Sequence, residues 1–157
     1  MSKSCFFIGH RDSPCSLKPL LLDSIHRHIT EYGVKEFYVG HCGAFDSMAA
    51  CALSEMKKQH PHIKNYLLLA YHPAVRSVDV PEDFECSILM EGQEKSPPRY
   101  AIANLNRRMI RETDYLIAYV WKITAGSYKL LEGAIGRGKR VRLIITNLAD
   151  KMGDGCC

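Results

Sequence analysis

The sequence predicts a three-layer α/β sandwich: a parallel sheet of about five strands with helices on both faces. Short apolar runs stop abruptly at Gly, His or Pro, as strands buried on both faces do. Amphipathic helical patterns separate these runs. The strict alternation of the two patterns requires crossover connections and therefore parallel pairing.

The apolar runs cover 4–8, 36–39, 66–71, 115–120 and 141–145. The helical patterns cover 17–32, 44–59, 98–112 and 127–136. In the first, Leu21, Ile25 and Ile29 recur at one-turn spacing, and Gly33 follows as a stop. The second carries Phe45, Met48, Ala49, Ala52, Leu53 and Met56 on one side. Pro97 and Pro98 suit the first turn of the third. In the fourth, Tyr128, Leu131 and Ile135 repeat the pattern, and Gly138 stops it. The segment 74–96 has no clear period, although 84–90 reads as a short strand.

The 157 residues fit one domain, residues 1–150, with the Gly- and Cys-containing stretch 151–157 expected to be a disordered tail. A chain of this size buries a core without disulfides or metal. Seven cysteines, an odd number with no CxxC spacing, read as reduced thiols in a cytoplasmic protein. No basic segment leads into an apolar stretch near Met1, and no apolar run approaches the ~18 residues of a membrane span, so neither secretion nor a membrane partner is expected. The net charge of +4 suits an anionic ligand. Its dispersion along the chain does not form the concentrated stripe of a nucleic-acid binder, and nucleic acid is not the expected partner.

Parallel strands place their following loops on one edge, where open α/β sheets bind ligands. The loop after the first strand holds Gly9, His10 and Arg11; Gly9 admits close backbone approach, and Arg11 can grip a phosphate or simply face solvent. The second holds Gly40, His41, Gly43 and Asp46 and opens a helix whose N–H groups suit an anion. Its glycine spacing is neither GxGxxG nor a Walker A loop. Asp46 either complements the helix dipole or accepts hydrogen bonds from a sugar or base. Thr124, Ala125, Gly126, Ser127 and Tyr128 form a second small-residue helix start, suited to phosphate or to N-capping. Arg99 and Arg107 lie about two turns apart on the 98–112 pattern, where both reach a ligand or Arg107 is a solvated charge. His10, His41 and His72 stand at strand ends without Cys or carboxylate partners at ligand spacing, so neither a metal nor another cofactor is expected.

Taken together, Cys5-Phe6-Phe7-Ile8-Gly9-His10-Arg11, Phe37-Tyr38-Val39-Gly40 with Gly43-Ala44-Phe45-Asp46, Pro97-Pro98-Arg99-Tyr100-Ala101-Ile102, and Asp114-Tyr115-Leu116-Ile117-Ala118-Tyr119-Val120 with Ala125-Gly126-Ser127-Tyr128-Lys129 resemble the short bacterial proteins of the SLOG superfamily, of a type common in Firmicutes. The resemblance spans residues 4–146. It implies a Rossmann-like fold and a nucleotide-like ligand. The superfamily includes the Lonely Guy phosphoribohydrolases, the DNA-processing protein DprA and nucleotide-sensing domains. In the Lonely Guy motif PGGxGTxxE, the glutamate supports N-glycoside cleavage; the matching position here is Leu130 or Lys129. The expected function is therefore binding of a nucleotide or nucleotide-derived ligand in a sensor or sequestering role. Phosphoribohydrolase-like hydrolysis and single-stranded DNA handling are the alternatives, and the superfamily resemblance makes a homodimer an expectation.

Overall fold

A computed structural model describes residues 2–121 and 144–149. The expected helix over 127–136 and the loop residues Thr124, Ala125, Gly126, Ser127 and Tyr128 lie outside the described residues.

β1 (Lys3–Gly9) is the centre of the sheet, hydrogen-bonded on both sides to parallel neighbours. That position explains its unbroken apolar run: Cys5 and Phe7 enter the core on one face, Phe6 and Ile8 the core on the other. A 3₁₀ turn (Cys15–Leu17) leads into α1 (Lys18–Thr30), which has Pro19 in its first turn. β2 (Val34–Val39), α2 (Ala44–Gln59) and β3 (Lys64–Leu68) follow. β4 (Cys86–Ile88) is a short edge strand parallel to β3. A 3₁₀ turn (Pro98–Tyr100) then starts α3 (Ala101–Glu112), and β5 (Tyr115–Tyr119) and β6 (Ile144–Asn147) complete the sheet.

The strand order is β4-β3-β2-β1-β5-β6, all parallel, so six strands are present where about five were expected. The added strand comes from the 84–90 segment. Several strand ends also shift from the expected runs, two of them for a visible reason. Leu69 and Ala70 are apolar because they are buried, not because they are in the ladder, which stops at Leu68. At the other edge, pairing extends through the polar Thr146 and Asn147 because Asn147 closes on Val120: its Oδ1 accepts the Val120 N–H at 3.1 Å and its Nδ2 donates to the Val120 carbonyl at 2.9 Å.

α1 and α2 cover one face with Leu21, Ile25, Phe45, Leu53 and their neighbours. α3 covers the other with Ala101, Leu105, Met109 and Ile110. The chain runs outward from β1 to β4 and then crosses back to β5 on the far side of β1. The topological switch point therefore lies between the carboxyl ends of β1 and β5.

Candidate functional site

The described loops at the carboxyl edge are tied into one row. At the switch point, the buried His10 accepts the Trp121 backbone N–H at Nε2, 3.0 Å away, and its ring meets those of Tyr119 and Trp121 edge-on. Next, the Arg11 carbonyl accepts the Ala44 N–H at 2.8 Å, joining the loop after β1 to the start of α2. Then His41 Nε2 accepts the Ala70 N–H at 3.3 Å, joining the loops after β2 and β3. Finally, the Tyr71 hydroxyl donates to the Pro98 carbonyl at 3.3 Å, and buried Gln93 donates to the carbonyls of Ala70 and Ala101, which ties in the start of α3.

The glycines have reasons within the chain itself. A Cβ on Gly9 would meet the Phe45 ring at 2.1 Å, and one on Gly40 would meet Asp46 Oδ2 at 2.9 Å. Gly43 has φ 104° and ψ 176°, a region essentially reserved for glycine, and a Cβ there would lie 2.8 Å from Arg11 Cα. These close approaches let the loops after β1 and β2 stack on each other.

Two amide groups around the start of α2 are already engaged: Ala44 donates to Arg11, and Cys42 donates to Asp46 Oδ2 at 3.0 Å. Positive charge at this edge therefore comes chiefly from side chains. Arg11 and Arg99 are exposed, and the Arg99 guanidinium stacks 4.7 Å from the Tyr100 ring. Arg107 is exposed further along α3 and donates to Asn104 at 2.9 Å. Two contributors were not singled out from sequence. Arg76 stacks 4.7 Å over Tyr71 and depresses the His41 pKa, though burial depresses it more. Trp121 is 54% exposed beside His10 at the switch point. Its sequence signal was its position, a tryptophan directly after the apolar run of β5.

Asp46 sits partly buried beneath the Gly40 loop. Burial pushes its carboxyl up to about 6, against the opposing pull of the Cys42 N–H and Arg11. Burial, and then Asp46, also raise the Cys42 thiol. His41 Nδ1 lies 3.8 Å from Cys42 Sγ, and burial lowers the imidazole while raising the thiol, so it disfavours the charged form of each.

A test of stability follows from Asp46. Between its ordinary 3.8 and about 6, the folded chain keeps a proton that the unfolded chain has released. Stability from this group therefore falls as pH rises through that window, and the full penalty applies above it. Asp46→Asn keeps an acceptor for Cys42 and removes the charge. It is expected to gain on the order of 2 kcal/mol near pH 7 and almost nothing below about pH 4. Urea midpoints at the two pH values check this; equal differences at both would disprove it.

His10, His41 and His72 all use a ring nitrogen to accept a backbone N–H, His72 Nδ1 from Ala74 at 3.0 Å. Among the described residues, no group of three or more His, Cys, Asp or Glu side chains is arranged to hold a metal ion. A concavity of about 550 Å³ opens at the opposite edge, by the start of β1 and the end of α3. Glu36, Glu112 and Asp114 line it against the single cation Lys3, a net negative lining that disfavours a phosphate.

No family model matches the chain, and no curated protein matches it. Two solved structures share the fold. One is the molybdenum cofactor carrier protein of Chlamydomonas reinhardtii, 11% identical, with a TM-score of 0.57 over 97% of this chain and 83% of that one. The other is DNA processing protein A of Helicobacter pylori, which binds single-stranded DNA; it is 15% identical, with a TM-score of 0.51 over 97% of this chain and 72% of that one. At these identities the likeness shows the fold alone, a Rossmann-like α/β sheet. No helix among the described residues is long and apolar enough to cross a membrane.

Proposed function

We propose that the chain binds a nucleotide or nucleotide-derived small molecule at the carboxyl edge of the sheet, in a sensor or sequestering role. The observation that carries this reading is the pairing at the switch point of an exposed indole, Trp121, with the loop that presents Arg11. An aromatic face takes a planar ring, and a guanidinium takes phosphate in a bidentate grip. Arg76 and Arg99 extend the positive wall, and Asp46 is the acceptor for sugar or base. A neighbour that carries a cofactor supports a carrier role over a catalytic one. The residues Thr124, Ala125, Gly126, Ser127 and Tyr128 belong to the same proposal as its second phosphate cradle.

Trp121 is the only tryptophan in the chain, so its fluorescence reports this edge alone. Titration with nucleoside monophosphates, nucleoside diphosphates and ADP-ribose is expected to quench it saturably for at least one ligand and to raise the melting temperature. Arg11→Ala is expected to weaken that binding about tenfold, the worth of a hydrogen bond to a charged group. No saturable response to any ligand, or an Arg11→Ala variant with unchanged affinity, refutes the reading.

A second reading is binding of single-stranded DNA. It is favoured by an exposed indole on the edge that also presents Arg11, an aromatic surface of the kind on which bases stack, and by the neighbour that binds such DNA. It replaces the expectation that nucleic acid is not a partner if oligonucleotide retention falls steeply with salt, as released counterions require. Retention that is absent at low salt excludes it.

A further inference from the structure

Away from the carboxyl edge, three histidines gather where α1 packs beside the end of α2. His26 lies on the exposed side of α1, His60 caps α2, and His62 follows in the turn to β3. His26 Nδ1 and His60 Nε2 are 3.3 Å apart, with ring centroids at 5.4 Å and planes inclined by 47°. The His62 ring stands perpendicular to that of His60 at 6.0 Å.

We propose that His26 and His60 form a two-imidazole chelate for one divalent ion of the zinc, copper or nickel class, stapling α1 to the end of α2. The spacing is the first argument. Two nitrogens bound at about 2.0–2.1 Å to a tetrahedral ion stand about 3.3–3.4 Å apart, which is the separation of this hydrogen-bonded pair; the ring that donates its N–H here binds metal by moving that proton to its other nitrogen. The electrostatics are the second. The carbonyl end of α2 is the negative end of its dipole, and His60, whose N–H bonds to the Met56 carbonyl, sits at that end. The neighbouring cations are held by acceptors of their own: Lys57 by the Pro61 and Ile63 carbonyls and by Glu85 at 3.6 Å, and Arg27 by Glu31 at 3.7 Å. Imidazole donors select zinc, copper and nickel over magnesium and calcium. With two protein ligands, the remaining positions are water, and the ion exchanges freely.

The experiment is a zinc chloride titration of the full, reduced, nitrogen-15-labelled chain, read at the imidazole nitrogens. His26 and His60 are expected to shift together along one saturation curve, with a rise in melting temperature. His26→Ala and His60→Ala are each expected to weaken that event about tenfold or more, since losing one arm of a chelate loses its effective concentration. His62→Ala is expected to leave it nearly unchanged. Both positions are outside the core, so the variants are expected to melt like the parent without zinc. Zinc that shifts only cysteine signals, or a His26→Ala chain that binds like the parent, overturns the proposal.

Discussion

Gly9→Ala is expected to destabilise the fold by about 3 kcal/mol, at the upper end of what overpacking costs. The new methyl would lie 2.1 Å from Phe45 Cγ and 2.4 and 2.6 Å from the two ring carbons beside it. The ring has nowhere to go: Phe45 is 1% exposed and packed among the α1, α2 and β2 side chains. Gly9 is no freer, because it pairs with Tyr119 in the ladder at the centre of the sheet. Urea unfolding measures the loss. Phe45→Leu removes ring atoms and, combined with Gly9→Ala, should cost less than the sum of the two changes, because the residues compete for one space. A Gly9→Ala protein within about 0.5 kcal/mol of the parent would show that the close approach is not maintained in solution.

Gly43→Ala is expected to cost a similar amount, about 3 kcal/mol, from two sources that add. An alanine at φ 104° and ψ 176° is strained whatever surrounds it, and here its methyl would lie 2.8 Å from Arg11 Cα, which is backbone and cannot swing aside. Relief requires the loops after β1 and β2 to part, breaking the 2.8 Å bond from the Ala44 N–H to the Arg11 carbonyl. Gly92→Ala is the control: φ is 83° there, with open space around the added Cβ, so only conformational strain of about 1 kcal/mol applies. Because Arg11 moves with its backbone, Gly43→Ala should also lose the Trp121 fluorescence response to phosphorylated ligands at protein concentrations where the chain is still folded. Equal costs at Gly43 and Gly92 would reduce the effect to strain and remove the link to Arg11.

The elements differ in how far their residues announced them. α2 matches its expected span because the apolar spacing from Phe45 to Met56 is helical and the flanking Gly43 and His60 stop it. β4 was legible only as a short strand somewhere in 84–90, because the three edge residues Cys86–Ile88, exposed or half-exposed, have too few neighbours to impose a pattern that fixes its bounds. The candidate site shows the same division. Arg11 and Asp46 were legible as charges in strand-end loops. Trp121 and Arg76 were not, because what they face depends on residues distant in sequence: His10 for the first, Tyr71 and His41 for the second.

The chain's periodicity therefore determined the α/β class, the parallel sheet and the edge on which its chemistry collects, since burial on two faces and the need for crossovers are written in the order of apolar runs. Only the tertiary structure decided what each loop residue is for. A glycine in a sequence says that something comes close or that the backbone is unusual. It does not say whether a ligand, a phenyl ring or another loop comes close, because that neighbour is supplied by folding. At Gly9 it is Phe45, and at Gly43 it is Arg11. The loops expected to be shaped for a ligand are first shaped for each other, and the proposed pocket stands on that packing.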